Sequence, residues 1–161
     1  MSSQRKRSIK IVSINDEFFN LFQDDSDKQM LLIKKEMNRR PCLILLKIKF
    51  NGLRYTFALP FRSNINEKAP QDTYFALPPR GSTKLNHHHG LHYIKAFPIA
   101  DKYFNSYCMR DDFQGEYCLA FVEKNIKNII AELQTYIDNY ACGNKRKFAV
   151  NIENAIKKQG L

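Results

Sequence analysis

The chain has 161 residues, 43% of them hydrophobic and 26% charged, and 26 Lys and Arg against 16 Asp and Glu give a formal net charge of +10. That length fits one domain, 1–161, with a core of its own, and no apolar run approaches the roughly 20 residues needed to cross a bilayer. The basic start, Met1 to Arg7, is not followed by a signal-peptide core because Lys10 and Asp16 interrupt it, so the expected location is the cytoplasm.

The charge excess favours an anionic partner such as nucleic acid. Cys42, Cys108, Cys118 and Cys142 form no C-x-x-C pair, so neither a disulfide framework nor a zinc knuckle is signalled.

In chain order, Ser8 to Ile14 reads as a first strand. Asn15 can cap a short helix that carries Phe18, Phe19 and Phe22 inward, with Asp16 and Glu17 in its first turn. Lys28 to Arg40 reads as irregular to helical. The clearest element is a hairpin: Cys42 to Phe50, then Asn51-Gly52, then Leu53 to Leu59. Both turn positions require positive φ, which Asn-Gly accepts readily, and Pro60 is expected to end the second strand by removing a ladder donor.

Thr73 to Leu77 is a short expected strand closed by Pro78-Pro79. Leu91 to Phe97 is another, and Pro98 to Tyr107 adds one more after a bend. Asp111 or Asp112 can cap a long helix from Phe113 to Tyr140. Its stripe of Cys118, Val122, Ile126, Ile129, Leu133, Ile137 and Tyr140 is spaced by threes and fours. Gly143-Asn144 stops it, and a last helix over Arg146 to Lys158 places Phe148, Ile152 and Ile156 on one side. The fold class is α+β: a strongly bent antiparallel sheet or partial barrel with a long C-terminal helix and flanking helices.

The segment from Pro78 to Lys95 holds all four histidines, His87, His88, His89 and His92, with Arg80, Lys84 and Lys95 around them. Adjacent histidines rarely converge on one metal ion, and no carboxylate or cysteine stands near in sequence to complete a site, so no metal and no cofactor is expected. The alternatives are solvated loop histidines, a zinc hydrolase or phosphodiesterase, and metal-free RNA cleavage. In the last, the 2′-hydroxyl attacks its own phosphate and needs a base, charge stabilisation and an acid. Arg62, Arg80, Lys84, His89 and His92 are the residue types it needs, with Ser63 and Asn64 able to orient the phosphate or the hydroxyl. His92, at a strand start, is the first candidate, and His87 and His88 look expendable.

Tyr55, Tyr74, Tyr93 and Tyr117 are candidates for stacking on unpaired bases. The runs Arg5-Lys6-Arg7, Lys34-Lys35, Arg39-Arg40 and Lys145-Arg146-Lys147 supply sequence-blind phosphate attraction.

The order of segments resembles the ToxN/AbiQ superfamily of type III toxin–antitoxin endoribonucleases, and most closely its TenpN-type branch. The likeness rests on the opening strand with its Ile-x-x-Phe-Phe helix, Asn38-Arg39-Arg40-Pro41 before an aliphatic strand, and the Asn51-Gly52 hairpin. It continues through Ala58-Leu59-Pro60-Phe61-Arg62-Ser63-Asn64-Ile65, His89-Gly90-Leu91-His92-Tyr93-x-Lys95 before Phe97-Pro98-Ile99, and the long C-terminal helix.

The resemblance implies a Kid/MazF-like bent barrel with added helices. It also implies metal-independent, sequence-specific endoribonuclease activity that leaves a 2′,3′-cyclic phosphate. Such a toxin is inhibited by a small folded repeat antitoxin RNA that it also processes, and the two form a closed protein–RNA hetero-oligomer serving phage defence or growth arrest. Cellular or phage RNA would be the substrate, with no membrane partner.

On this sequence the family's basic position before the hairpin falls on Arg40, and its polar and basic positions after the hairpin fall on Arg62, Ser63 and Asn64. The expected catalytic set is Arg40, Arg62, Ser63, His89 and His92. The expected RNA-binding set is Lys35, Arg39, Asn64, Arg80, Lys84, Lys95 and Tyr117. Where the ToxN branch has a Thr-Ser-Pro-Lys-like sequence, this chain has Pro60-Phe61-Arg62-Ser63, so the resemblance does not assign the group that activates the nucleophile. ToxN-type members are not known for a histidine pair, so the acid and base roles of His89 and His92 rest on chemistry rather than on the resemblance. A non-catalytic basic RNA-binding regulator is the alternative reading.

Overall fold

One strand of 14 residues, Leu53–Asn66, organises the sheet. The computed structural model describes residues 9–24, 28–37, 43–79, 83–106 and 113–161. Among them the strands are β1 (Lys10–Ile14), β2 (Leu43–Phe50), β3 (Leu53–Asn66), β4 (Tyr74–Leu77), β5 (His87–His92), β6 (Phe97–Pro98) and β7 (Phe104–Ser106). They form one open antiparallel sheet in the order β4-β5-β3-β2-β1-β7, and β6 pairs with β3 off that path. The helices are α1 (Asp16–Asn20), α2 (Lys28–Met37), α3 (Phe113–Lys124), α4 (Ile126–Ala141) and α5 (Ile152–Gln159). None is long and apolar enough to cross a membrane. The expected α+β layout with an antiparallel sheet holds.

The hairpin forms as its turn residues require. Asn51 and Gly52 take φ of 50° and 80°, and the ladder runs from Phe50↔Leu53 to Leu43↔Pro60. Pro60 does not end the strand, contrary to expectation. It sits where β3 exchanges partners, since Leu43 of β2 faces Pro60 and Leu91 of β5 faces Phe61. A residue without an N–H is tolerated where one ladder stops and another starts.

The alternation of β2 sorts its side chains between two cores. Ile44, Leu46, Ile48 and Phe50 pack with Ile129, Leu133, Ile137 and Tyr140 of α4. Leu43 joins Phe18, Phe19 and Phe22, Met30 and Ile33 of α2, and Phe97. The Phe18 and Phe97 rings stack at 5.2 Å, and burying each such ring is worth roughly 1.5–3 kcal/mol. Asn15 caps α1 by accepting the Phe18 N–H at 3.2 Å.

Three expectations about boundaries are corrected. The long helix is two: Asn125 breaks it, its amide Nδ2 donating to the Phe121 carbonyl at 2.8 Å. Its far end stops as expected, with Gly143 at φ 95° and the Asn144 N–H reaching the Asn139 carbonyl at 2.9 Å. The last helix starts at Ile152 rather than Arg146, because the Asn151 side chain accepts the Asn154 N–H at 3.0 Å and caps it there.

The strand expected over Leu91 to Phe97 is displaced to His87–His92, so His92 ends a strand instead of starting one. A single 3-10 turn, Tyr93–Lys95, follows and is closed by the Ala96 N–H on the Tyr93 carbonyl at 3.0 Å. Gly90 permits this placement. A Cβ there would lie 2.5 Å from the Phe75 carbonyl oxygen of β4.

Candidate active-site groove

The pairing of β3 with β5 unites the two segments singled out in the sequence. Arg62 faces Gly90, Ile65 faces His88, and the register shifts between them, so Ser63 and Asn64 form a bulge. Bulges bend a strand and re-aim its side chains. On the other edge of β5, Tyr74 faces His92 and Ala76 faces Gly90. Paired residues share a sheet face and alternate residues return to it, so Arg62 and His92 stand on one face.

That face opens into a groove of about 820 Å³. Its basic end is formed by Arg62, His92 and Lys95. Leu32 and Ile33 of α2, with Ile65 and Ile94, make an apolar wall, and Arg146, Lys147 and Phe148 form the rim.

Arg62 is partly exposed, and among the described residues no carboxylate lies within ion-pair distance of it. A guanidinium in that state is available to a phosphate. Lys95 is 8% exposed, and its Nζ donates to Gln29 Oε1 and to the Phe148 carbonyl at 2.8 Å. Asn64 holds the approach to β5, its Oδ1 accepting the Lys84 N–H at 3.1 Å. Its Nδ2 is 3.5 Å from Ser63 Oγ.

His92 is 7% exposed. Burial pushes its pKa down to about 3, and the nearby charges of Arg62 and then Lys95 act in the same direction. The ring is therefore neutral at pH 7. Its Nδ1 is buried with no hydrogen-bond partner among the described residues, which leaves Nε2 as the nitrogen for the groove.

The other histidines have other surroundings. His89 is 1% exposed on the opposite face, stacked on Phe61 with centroids 6.4 Å apart. His88 stacks on Tyr74 at 5.6 Å. His87 lines the groove, with Nδ1 2.8 Å from the Leu85 carbonyl oxygen. Among the described residues no three His, Cys, Asp or Glu side chains gather where they could hold a metal ion.

Of the expected site residues, the groove brings together Arg62, Asn64, His92 and Lys95. Ser63 adjoins it in the bulge without lining it, and His89 faces the core. Lys35, Lys84 and Tyr117 are exposed away from its lining. Arg39, Arg40 and Arg80 lie outside the described residues. Tyr74 and Tyr93 are buried and Tyr55 packs against the core, so these stacking candidates serve packing. Sequence reasoning missed Phe148, Leu32 and Gln29 as groove residues. The available signal for Phe148 was an aromatic ring at the end of a basic run.

By sequence the chain matches no protein-family model and no curated protein. By fold it is similar to two solved structures from work on bacterial RNA-regulated systems. One solved structure, from work on bacterial type III systems and selective toxin inhibition by a non-coding RNA pseudoknot, superposes with a TM-score of 0.67 at 14% identity, covering 93% of this chain and 95% of that one. A second, from work on a processed non-coding RNA that regulates a bacterial antiviral system, gives a TM-score of 0.56 at 13% identity over 94% and 98% of the two chains.

Proposed function

We propose that this chain is the toxin of a type III toxin–antitoxin system, a metal-independent, sequence-specific endoribonuclease of the TenpN type in the ToxN/AbiQ superfamily. A small folded repeat RNA inhibits it, and it processes that RNA from its precursor. The observation that carries this reading is the groove itself. It places an Arg62 guanidinium with no described ion pair beside a neutral His92, on a fold like that of structures from type III systems.

Arg62 binds the scissile phosphate and stabilises the charge that develops on it, while Lys95 braces the groove floor and adds positive potential. His92 starts neutral. An arriving phosphodiester brings negative charge that offsets Arg62 and Lys95, which raises the basicity of His92 from its depressed value. Nε2 then takes the 2′-hydroxyl proton as the oxygen attacks phosphorus. The imidazolium returns a proton to the departing 5′-oxygen, leaving a 2′,3′-cyclic phosphate. Asn64 and Ser63 shape the bulge that aims Arg62. The antitoxin RNA occupies the same groove as a poor leaving product, and toxin and RNA close into a hetero-oligomer.

The test is induction in cells together with cleavage of RNA by the purified chain. Growth arrest relieved by Arg62→Ala, cleavage that survives EDTA, and immunity of a strand with 2′-deoxyribose at the cut site are expected. One observation favours the regulator reading, in which the groove binds RNA without cutting it: a His92 held near pKa 3 is a weak base until a phosphate arrives. Unimpaired growth under strong induction, with RNA still bound, would establish that reading instead.

A further inference from the structure

We propose that Phe148 is a stacking platform for one unpaired nucleobase of the RNA, seated at the rim so that the attached sugar–phosphate reaches Arg62 and His92. This rests on the RNA reading of the groove and adds the subsite that holds a base.

Phe148 combines two features that its local structure does not need. Its φ is +70°, a left-handed conformation that costs a non-glycine residue on the order of 1 kcal/mol. The residue is 59% exposed, so it gains little from burial. Glycine or asparagine would hold the same turn at lower cost.

The backbone around it is nonetheless firmly held. Lys95 Nζ donates to the Phe148 carbonyl at 2.8 Å, and the Val150 N–H donates to the Ile94 carbonyl at 3.2 Å. Arg146 grips Asp72 through two nitrogens, Nε to Oδ2 at 3.1 Å and Nη2 to Oδ1 at 2.7 Å. Arg146 is thereby a brace for the rim rather than a phosphate ligand. An exposed ring on an anchored backbone is a preorganised contact surface.

The surroundings specify the occupant. In the same groove, Leu32 is 43% exposed, and Ile33 and Ile94 add apolar lining. Lys147 places its ammonium over one face of the Phe148 ring, 5.1 Å from the centroid, and the residue is still 59% exposed with that cation present. An apolar slot with an aromatic ring and a cation at its mouth suits a flat heterocycle carrying a phosphate. The basic end holding Arg62 and His92 receives that phosphate, and the shared Lys95 to Phe148 contact fixes how the two subsites sit together. Base stacking on an aromatic side chain tolerates any base, so the platform supplies affinity and register.

The test uses the full chain and a single-stranded RNA made non-cleavable by 2′-O-methyl groups, with 2-aminopurine placed at successive positions. Binding is expected to quench the fluorophore at one position. Phe148→Gly should abolish that quenching and weaken binding by roughly 10- to 100-fold, while its melting temperature stays the same or rises because glycine accepts the positive φ. Phe148→Leu keeps the strain and the apolar bulk without the ring, and should also lose the quenching. Phe148→Tyr should retain it.

Wild-type quenching and affinity in both Phe148→Gly and Phe148→Leu would overturn the platform alone. A wild-type chain that neither binds nor cleaves RNA would overturn the RNA reading on which it stands.

Discussion

β5 carries His89 and His92 three residues apart, and the two faces of that strand put the same side chain to opposite uses. His89 lies in the core against Phe61. His92 lies at the groove, where burial and two cations hold it neutral. Strand parity makes the difference, and parity is set by which residue faces Gly90 on each neighbour. One face of β5 therefore answers to packing and the other to whatever enters the groove. A substitution on each face should produce a different kind of loss.

The largest separation is expected from the histidines themselves. His92→Gln should lower RNA cleavage by about 10²–10⁴-fold, the range for a lost general acid–base group, with little change in melting temperature. His89→Ala should do the reverse, destabilising by about 2–4 kcal/mol as a buried ring is emptied, with cleavage per folded molecule retained. Thermal melts and single-turnover cleavage on both variants decide this. A His89→Ala protein that melts like wild type but does not cut would reverse the assignment of faces.

Arg62→Ala comes next, with cleavage down about 10²–10³-fold, the usual loss for one transition-state donor. Stability should hold, because Arg62 is partly exposed and has no described carboxylate partner. Arg62→Lys restores the charge but not the fork-shaped donor, and should recover only part of the rate.

The groove face also makes stability depend on pH. The folded pKa of His92 is about 3, below the ordinary 6.5. Between those values the unfolded chain binds a proton that the folded chain does not, so stability rises with pH across that window. The contribution is complete above about pH 6.5 and is lost as pH falls toward 3, in total a few kcal/mol. His92→Gln should flatten that part of the profile in denaturant titrations from pH 4 to 7.

What could be read in the sequence was what local chemistry decides. The Asn51-Gly52 turn, the Asn15 cap, the Gly143-Asn144 stop and the spaced stripe from Cys118 to Tyr140 each have a cause within a few residues, and each is present. The joining of the Arg62 segment to the histidine segment was also legible as an expectation.

The register was not. His89 and His92 become distinct only once β3 and β4 are paired to β5, and no short window encodes those partners. Phe148 was misread because it stands four residues before Ile152, a helical spacing. The cap at Asn151 starts the helix too late to include it. Tyr74 and Tyr93 are equally able to stack or pack by composition, and burial decided for packing.

Gly90 stands between His89 and His92 along β5, on the face that carries His92, and it tests whether the two faces are mechanically one strand. It faces Arg62 on β3 and Ala76 on β4. A Cβ there would meet the Phe75 carbonyl oxygen at 2.5 Å and Ile65 Cδ1 at 3.2 Å. The methyl of Ile65 could turn aside, but a backbone carbonyl moves only with its strand. Gly90→Ala should therefore push β4 from β5 and cost about 1–3 kcal/mol, as overpacking does. It should also lower cleavage, since His92 and its partner Tyr74 lie on the same displaced ladder. Gly52→Ala is the matched control. Gly52 has φ +80° with nothing within 4 Å of its Cβ position, so only local turn strain of about 1 kcal/mol is expected, with cleavage unchanged. If Gly90→Ala melts with wild type while cleavage falls, the strand does not couple the two faces, and the groove alone senses the added methyl.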